Sequence, residues 1–244
     1  MNILKEMLAS SAKGGSKVEF VGEYVTSYAG TTSSKGILLT SLTNGLDTQP
    51  SEGDLVIAMI AIGEYSLYSG TVATPSGWTD LSGELFADDT YDTKARIIYK
   101  FMGSLPDSNF FIPNGTGNTA CAGTTGVLVF RGVNQSNPFD VTPQFLVEAN
   151  TRLPDPPPIT PITSGAIVAI FGASGMSTSY SIFNNIPDVL YPLSAFAGDT
   201  VDCANGIGIV EWAGGTVNTG QWSHTGGEDT ANSNVSASIA LRPA

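Results

Sequence analysis

The sequence contains little of what active sites are commonly built from. It has one histidine, His224, and two cysteines, Cys121 and Cys203, among 244 residues. One histidine leaves almost nothing for a histidine-based triad or a multi-histidine metal site. The GxSxG, HExxH and P-loop motifs do not occur. We therefore expect a protein that is not an enzyme and that carries no metal and no cofactor.

Basic residues and long apolar runs are also scarce. Ten Lys and Arg stand against 22 Asp and Glu, which gives a formal net charge of −12. Such a chain repels phosphate backbones, which argues against a nucleic-acid partner. No apolar run reaches the length of a membrane span, and Lys5 and Glu6 interrupt any secretory signal core. The sequence thus predicts a soluble protein made in a cytosol.

The two cysteines do not form a disulfide scaffold. Neither belongs to a CxxC motif. Synthesis in a cytosol favours two free, buried thiols over a disulfide between Cys121 and Cys203.

Short apolar segments and dense turn signals are present instead, and they indicate an all-β protein. The segments VIAMIAI and AIVAIFG are unbroken apolar runs of strand length, which suit strands buried on both faces. Alternation is clearer in RIIYKF, and clusters such as TNGLD, PSGW and NQSNP separate the apolar segments. This pattern predicts a jelly-roll-like β-sandwich.

The chain repeats itself with a period of about 111 residues. GDLVIAMIA at 53–61 matches GAIVAIFGA at 165–173, and FADDTYD at 86–92 matches FAGDTVD at 196–202. ARIIYKFM at 95–102 aligns with GIGIVEWA at 206–213. We interpret the chain as an N-terminal arm (1–15), a first sandwich repeat (16–133) and a second repeat (134–244) packed with the first.

Two arrangements of the repeats remain open. Each repeat could supply strands to both sheets, or the repeats could form two sandwiches side by side about a pseudo-twofold axis. The proline-rich stretch LPDPPPITP at 153–161 predicts a stiff crossover between them.

An arginine ends the last predicted strand of each repeat. Arg131 in VFRGV aligns with Arg242 in ALRPA. A recurring arginine at this place favours a strand-end role, with the stem on the core and the guanidinium in solvent or on a carboxylate. An anion clamp is the alternative, but no Gly-rich phosphate loop or second basic group accompanies either copy.

Acidic residues form the best candidate site for chemistry. They are Asp88, Asp89 and Asp92, with Asp199 and Asp202 in the second repeat. Paired carboxylates can bind Ca²⁺ or cleave glycosidic bonds. The spacing is not that of a calcium loop, and recurrence in both repeats favours turn capping. Trp78, Trp212 and Trp222 could stack on sugars but more often belong to cores or interfaces.

The first residues differ from the rest of the chain. Ile3, Leu4, Met7 and Leu8 have helical spacing, and Gly14 and Gly15 end the pattern. A frayed tail is the simplest interpretation. The apolar stripe also suits a groove on another chain, and we expect these four residues to anchor the protein to a partner.

The ordered series GDLVIAMIA, PSGWTDL, RIIYKF and VFRGVNQSNPFD, followed by a second copy that ends in SIALRPA, resembles a duplicated β-sandwich domain of tailed-bacteriophage virion proteins. The resemblance covers roughly residues 50 to 244, and the second copy has Leu190 where the first has Trp78. The N-terminal segment that ends in Gly-Gly is similar to the virion-anchoring start of phage fibre proteins. The resemblance implies no catalytic residues.

The resemblance implies a structural protein on the virion surface, in a tail fibre or tail tip involved in host attachment and assembled in the host cytoplasm. Its expected partners are other virion proteins, itself as a homo-oligomer (a trimer), and a host surface glycan or protein. A capsid decoration protein is the alternative. A carbohydrate-binding module or polysaccharide depolymerase is the more distant one.

Overall fold

A computed structural model describes residues 17–29, 35–65, 70–112, 122–151, 153–176, 182–185, 188–197, 202–225 and 232–244. The regular secondary structure of these residues consists of β-strands alone, and all strand pairs are antiparallel. The expected all-β fold is therefore confirmed, and the predicted N-terminal helix lies outside the described residues. This part of the chain contains no helix long and apolar enough to cross a membrane.

Fourteen strands are described, seven in each half of the chain. They are β1 (Glu19–Ala29), β2 (Lys35–Leu38), β3 (Leu55–Tyr65), β4 (Thr79–Ala87), β5 (Tyr91–Phe101), β6 (Asn109–Ile112), β7 (Ala122–Arg131), β8 (Gln144–Glu148), β9 (Ile167–Met176), β10 (Ile182–Asn185), β11 (Leu190–Ala197), β12 (Asp202–Glu211), β13 (Ser223–Thr225) and β14 (Ser233–Leu241).

Two five-stranded sheets carry the repeat. The first has the order β1-β7-β3-β5-β4, and the second has the order β8-β14-β9-β12-β11. The strand order is therefore the same in both halves. The register agrees as well, because Ala61 lies opposite Ala95 in the first sheet as Ala173 lies opposite Asn205 in the second. Ala95 is thus equivalent to Asn205, so the alignment of 95–102 with 206–213 is wrong by one residue.

The two five-stranded sheets pack face to face and enclose the main core. Side chains from both sheets meet there, among them Ile57 and Phe130 from the first sheet and Phe171 and Ile239 from the second. A pseudo-twofold axis relates the contacts between the sheets. β1 contacts β11, and the equivalent strands of the other half, β8 and β4, also contact each other. Each half thus supplies one sheet of this sandwich, and neither contributes strands to both of its sheets.

The outer face of each sheet is also covered, so that central strands are buried on both faces as their unbroken apolar runs predicted. Over the first sheet, the β2–β6 ribbon buries Ile37 and Phe110 against outward residues such as Ile60. Over the second sheet, Trp222 and Ile159 cover Val168 and Ile170. Burial at this density is the main source of the fold's stability.

The proline-rich stretch forms part of this outer covering. The backbone N–H of Trp222 donates to the carbonyl of Pro154 at 2.9 Å, and Ile159 pairs with Val217 in an isolated bridge. The stretch connects β8 to β9, and both strands belong to the second sheet. The predicted crossover between the repeats is therefore wrong, because residues 153–161 lie within the second repeat and cover its own sheet.

The sandwich has two distinct ends. At the entry end, β1 begins at Glu19 opposite Arg131, and the N–H of Ala244 donates to the carbonyl of Gly132 at 2.9 Å. β3 spans 11 residues, so the opposite end lies about 35 Å away. We call this opposite end the loop end. It contains the strand ends that flank residues 30–34, 66–69, 113–121, 177–181, 198–201 and 226–231.

Candidate functional site

The acidic residues of the first repeat lie in the β4–β5 turn at the loop end. Oδ1 of Asp92 accepts a hydrogen bond from the N–H of Asp89 at 2.8 Å. Asp89 in turn accepts from the N–H of Thr90 at 2.6 Å and from the N–H of Asn150 at 2.8 Å. Two of these carboxylates thus close the turn and tie it to the second repeat, while Asp88 is exposed.

Asp92 is buried, and its environment favours the neutral acid. Burial raises the pKa of this carboxyl, the hydrogen bond from Asp89 opposes that change, and the charges of Asp88 and Glu64 add to it. The net effect is a raised pKa.

The second repeat places Asp202 at the matching position, where it is also buried. Asp199 lies outside the described residues. In the part of the chain that the structure describes, no three His, Cys, Asp or Glu side chains are grouped to hold a metal ion.

Sequence reasoning missed a buried ion pair beside this turn. Nζ of Lys94 on β5 contacts Oε1 of Glu64 on β3, and both side chains are buried. Lys94 also donates to the carbonyl of Gly70 at 2.8 Å, while Oε2 of Glu64 accepts from the N–H of Gly70 at 3.0 Å. Lys94 and Glu64 therefore bind both backbone polar groups of Gly70, the carbonyl and the N–H.

A second acid–base couple, Glu84 and Arg96, binds the backbone of Val72, although the ion pair of Arg96 is with Asp80. Glu84 lies opposite Arg96 across β4 and β5. The N–H of Val72 donates to Glu84 at 2.6 Å, and its carbonyl accepts from Nε of Arg96 at 2.5 Å. We call residues 70–72 the tethered segment, because charged side chains bind its backbone at Gly70 and at Val72.

The sheet register places Ala204 and Gly206 of the second repeat at the positions of Lys94 and Arg96. Among the described residues, the tethered segment is therefore a feature of the first repeat. Isolated charged residues within apolar strands were the available signal in the sequence.

The two strand-end arginines both reach carboxylates at the entry end. Arg131 bonds Asp54 through Nε at 2.9 Å and Nη2 at 3.0 Å, and Nη2 also contacts Asp47 at 3.0 Å. The hydrogen bonds to Asp54 raise the pKa of the Arg131 guanidinium above its ordinary value, which is already high. Arg242 reaches Asp140, with Nε 3.4 Å from Oδ1 and Nη2 3.0 Å from the carbonyl oxygen.

Asp140 organises the start of the second repeat. Its carboxylate accepts from the N–H groups of Ile162 at 2.6 Å and Thr163 at 2.9 Å, and from the Thr163 hydroxyl. Burial alone would raise the pKa of Asp140, but these hydrogen bonds and the charge of Arg242 outweigh it and leave the pKa below its usual value.

Two of the three tryptophans belong to the outer cores. Trp78 is buried, with its ring centroid 4.5 Å from that of Phe110. Trp222 is buried over Gly172. Trp212 is partly exposed and donates from Nε1 to the carbonyl of Gly215 at 2.8 Å.

Cys203 is a free and fully buried thiol, 3.4 Å from the Thr124 hydroxyl. Burial raises the pKa of Cys203 to about 12. Cys121, which is also expected to be a free thiol, lies outside the described residues, as do the four anchoring residues Ile3, Leu4, Met7 and Leu8.

Comparisons with protein-family models, with curated proteins and with solved structures found no match to this chain.

Proposed function

We propose that this protein is a non-enzymatic structural component of a tailed-phage virion surface, located in the tail fibre or tail tip and contributing to host attachment. The observation that carries the proposal is the polarity of the sandwich. The chain enters at Lys17 at one end, and the strand ends around six connecting segments lie at the other. An arm before Lys17 would dock on the particle while the loop end faces the host.

The carboxylates agree with this structural role. Asp89, Asp92 and Asp140 each accept hydrogen bonds from backbone N–H groups, and Asp54 is bound to Arg131. Groups used in this way stabilise turns and strand ends. Capsid decoration remains the second candidate within the same class, and it uses the same arm with a different docking site.

The test is incorporation of the protein into particles. The double variant Leu4→Asp/Leu8→Asp should give a folded protein that is lost from purified virions, because the apolar stripe of the arm can no longer be buried. Asn2→Asp/Ala9→Asp adds the same charge on the opposite face of the predicted helix and should be incorporated normally. Labelling of intact particles then locates the wild-type protein on tail or capsid.

Full incorporation of the Leu4→Asp/Leu8→Asp variant would refute the arm as anchor. The non-enzymatic assignment has a separate test, in which purified protein is incubated with host polysaccharides. Cleavage that Asp89→Asn/Asp92→Asn abolishes would refute it and favour a depolymerase.

A further inference from the structure

Two adjacent cavities open at the entry end. The larger has a volume of about 240 Å³, and the smaller has about 170 Å³. They share Lys17, Val18 and Glu211 as lining residues. Both are smaller than the sites of about 300–1,000 Å³ that usually bind small molecules, so they suit individual side chains better than a ligand.

The larger cavity presents apolar groups to solvent. Leu46 is 59% exposed and Tyr191 is 46% exposed. The Tyr191 ring stacks on Phe20 with centroids 5.2 Å apart. Tyr191 has φ 51°, within an irregularity of β11, and a non-glycine residue adopts this conformation at a cost in energy. The fold thus maintains an exposed aromatic side chain at this place.

The chain itself offers an apolar occupant. Lys17 lines both cavities, so the point at which residues 1–16 join the described chain lies beside them. The apolar stripe consists of two pairs, Ile3–Leu4 and Met7–Leu8, which on a helix lie one turn, about 6 Å, apart. This gives one apolar pair for each of the two cavities.

Charge and reach agree with this match. Glu19 and Glu211 line the larger cavity beside one cation, Lys17, and the segment carries Lys5 and Lys13 beside one acid, Glu6. Eight residues lie between Leu8 and Lys17, and the nine steps that join them span at most about 30 Å when extended. Gly14 and Gly15 permit the reversal of direction that is needed to reach back.

We infer that the two entry-end cavities bind the apolar stripe of residues 3–8 of the same chain. Attachment in the same chain gives the stripe a high effective concentration, which a separate copy reaches only at high protein concentration. The stripe is thereby kept from water in the isolated protein. This inference does not depend on the virion assignment, because it concerns the isolated chain.

The test uses the full-length protein in solution and observes both partners. Tryptic cleavage after Lys5 and Lys13 reports on the segment, and hydrogen exchange of residues 42–47 reports on the cavity. Leu46→Asp should speed cleavage at both lysines severalfold. Leu4→Asp/Leu8→Asp should speed exchange at 42–47 severalfold, with no dependence on protein concentration.

Leu105→Asp is the matched control, since Leu105 is 90% exposed and lines neither cavity. It should change neither readout. Unchanged cleavage in Leu46→Asp together with unchanged exchange in Leu4→Asp/Leu8→Asp would overturn the inference. If slow cleavage and slow exchange in the wild-type protein are lost when the protein is diluted, the inference is overturned. The cavities then bind the segment of a second copy. Equal effects from Leu105→Asp would show that general destabilisation is responsible.

Discussion

Gly63 lies directly against the backbone carbonyl of Asp202, and Gly175 lies in the same way against the carbonyl of Asp92. A methyl group at Gly63 would lie 2.3 Å from the Asp202 oxygen, and one at Gly175 would lie 2.3 Å from the Asp92 oxygen. The two contacts are related by the repeat. They bring the two sheets into backbone contact at the loop end, where the Thr93 hydroxyl also accepts from the N–H of Gly175 at 2.6 Å.

Gly63→Ala should therefore destabilise the protein by about 2–3 kcal/mol, because overpacking a close-packed interior has a cost of this order. Gly175→Ala should have a similar effect. Gly103→Ala is the control, since a methyl group there meets nothing within 4 Å. Urea unfolding provides the measurement, and equal stability of Gly63→Ala and Gly103→Ala would contradict the contact.

Asn205 is a polar exception in the main core. It is fully buried, and none of the described residues hydrogen-bonds to its side-chain amide. Its Oδ1 would lie 2.6 Å from a methyl group at Gly126, so the amide points across the sandwich. The first repeat has Ala95 at the matching position, also fully buried.

Asn205→Ala should consequently be neutral or stabilising by up to about 2 kcal/mol, because an unsatisfied buried amide carries a desolvation penalty of about 1–3 kcal/mol. The converse change, Ala95→Asn, should destabilise by at least that amount. Thermal and urea unfolding of both variants check the pair. Strong destabilisation by Asn205→Ala would show that the amide has a partner, such as ordered water.

Glu23 makes stability depend on pH. Its side chain is buried, Asn44 donates to Oε1 at 2.8 Å, and none of the described residues bonds Oε2. Burial raises the pKa of Glu23 to about 7. The folded state thus holds a proton that the unfolded state releases at lower pH, so the free energy of unfolding falls as pH rises from about 4.5 to 7.

Glu23→Gln should remove this dependence on pH. At about pH 8 it should raise the free energy of unfolding by up to about 3 kcal/mol, which corresponds to the whole pKa shift of Glu23. Glu52→Gln, at an exposed carboxylate, is the control. Unfolding curves measured between about pH 4 and pH 8 compare the variants. A Glu23→Gln profile parallel to that of the wild type would contradict a buried neutral carboxyl.

The Lys94–Glu64 pair should be sensitive to removal of one partner. Lys94→Met leaves Glu64 buried without its counter-ion, and a loss of about 3–5 kcal/mol is expected. Lys94→Met/Glu64→Gln should recover part of it, because the uncompensated charge is gone. Hydrogen exchange at Gly70 and Val72 should accelerate more in the single variant. Identical stability of the two variants would show that the pair is not coupled.

Much of the architecture could be read from local sequence. Unbroken apolar runs such as 55–62 predicted strands buried on both faces, because such runs have no polar side to turn toward water. The period of about 111 residues predicted two equivalent halves, and the sheets have the same strand order. The domain boundaries and the role of residues 1–15 stay predictions.

The sequence alone therefore determined the central apolar strands, the repeat and the strand-end positions of Arg131 and Arg242, since these depend on residues close together in the chain. Tertiary structure decided which groups meet. Asp54 lies 77 residues from Arg131, and the Glu84–Arg96 couple depends on an irregular register in β4. It also decided that each half forms one sheet of the sandwich. Pairing across such distances is set by how the sheets pack against each other, and the order of residues does not express that packing.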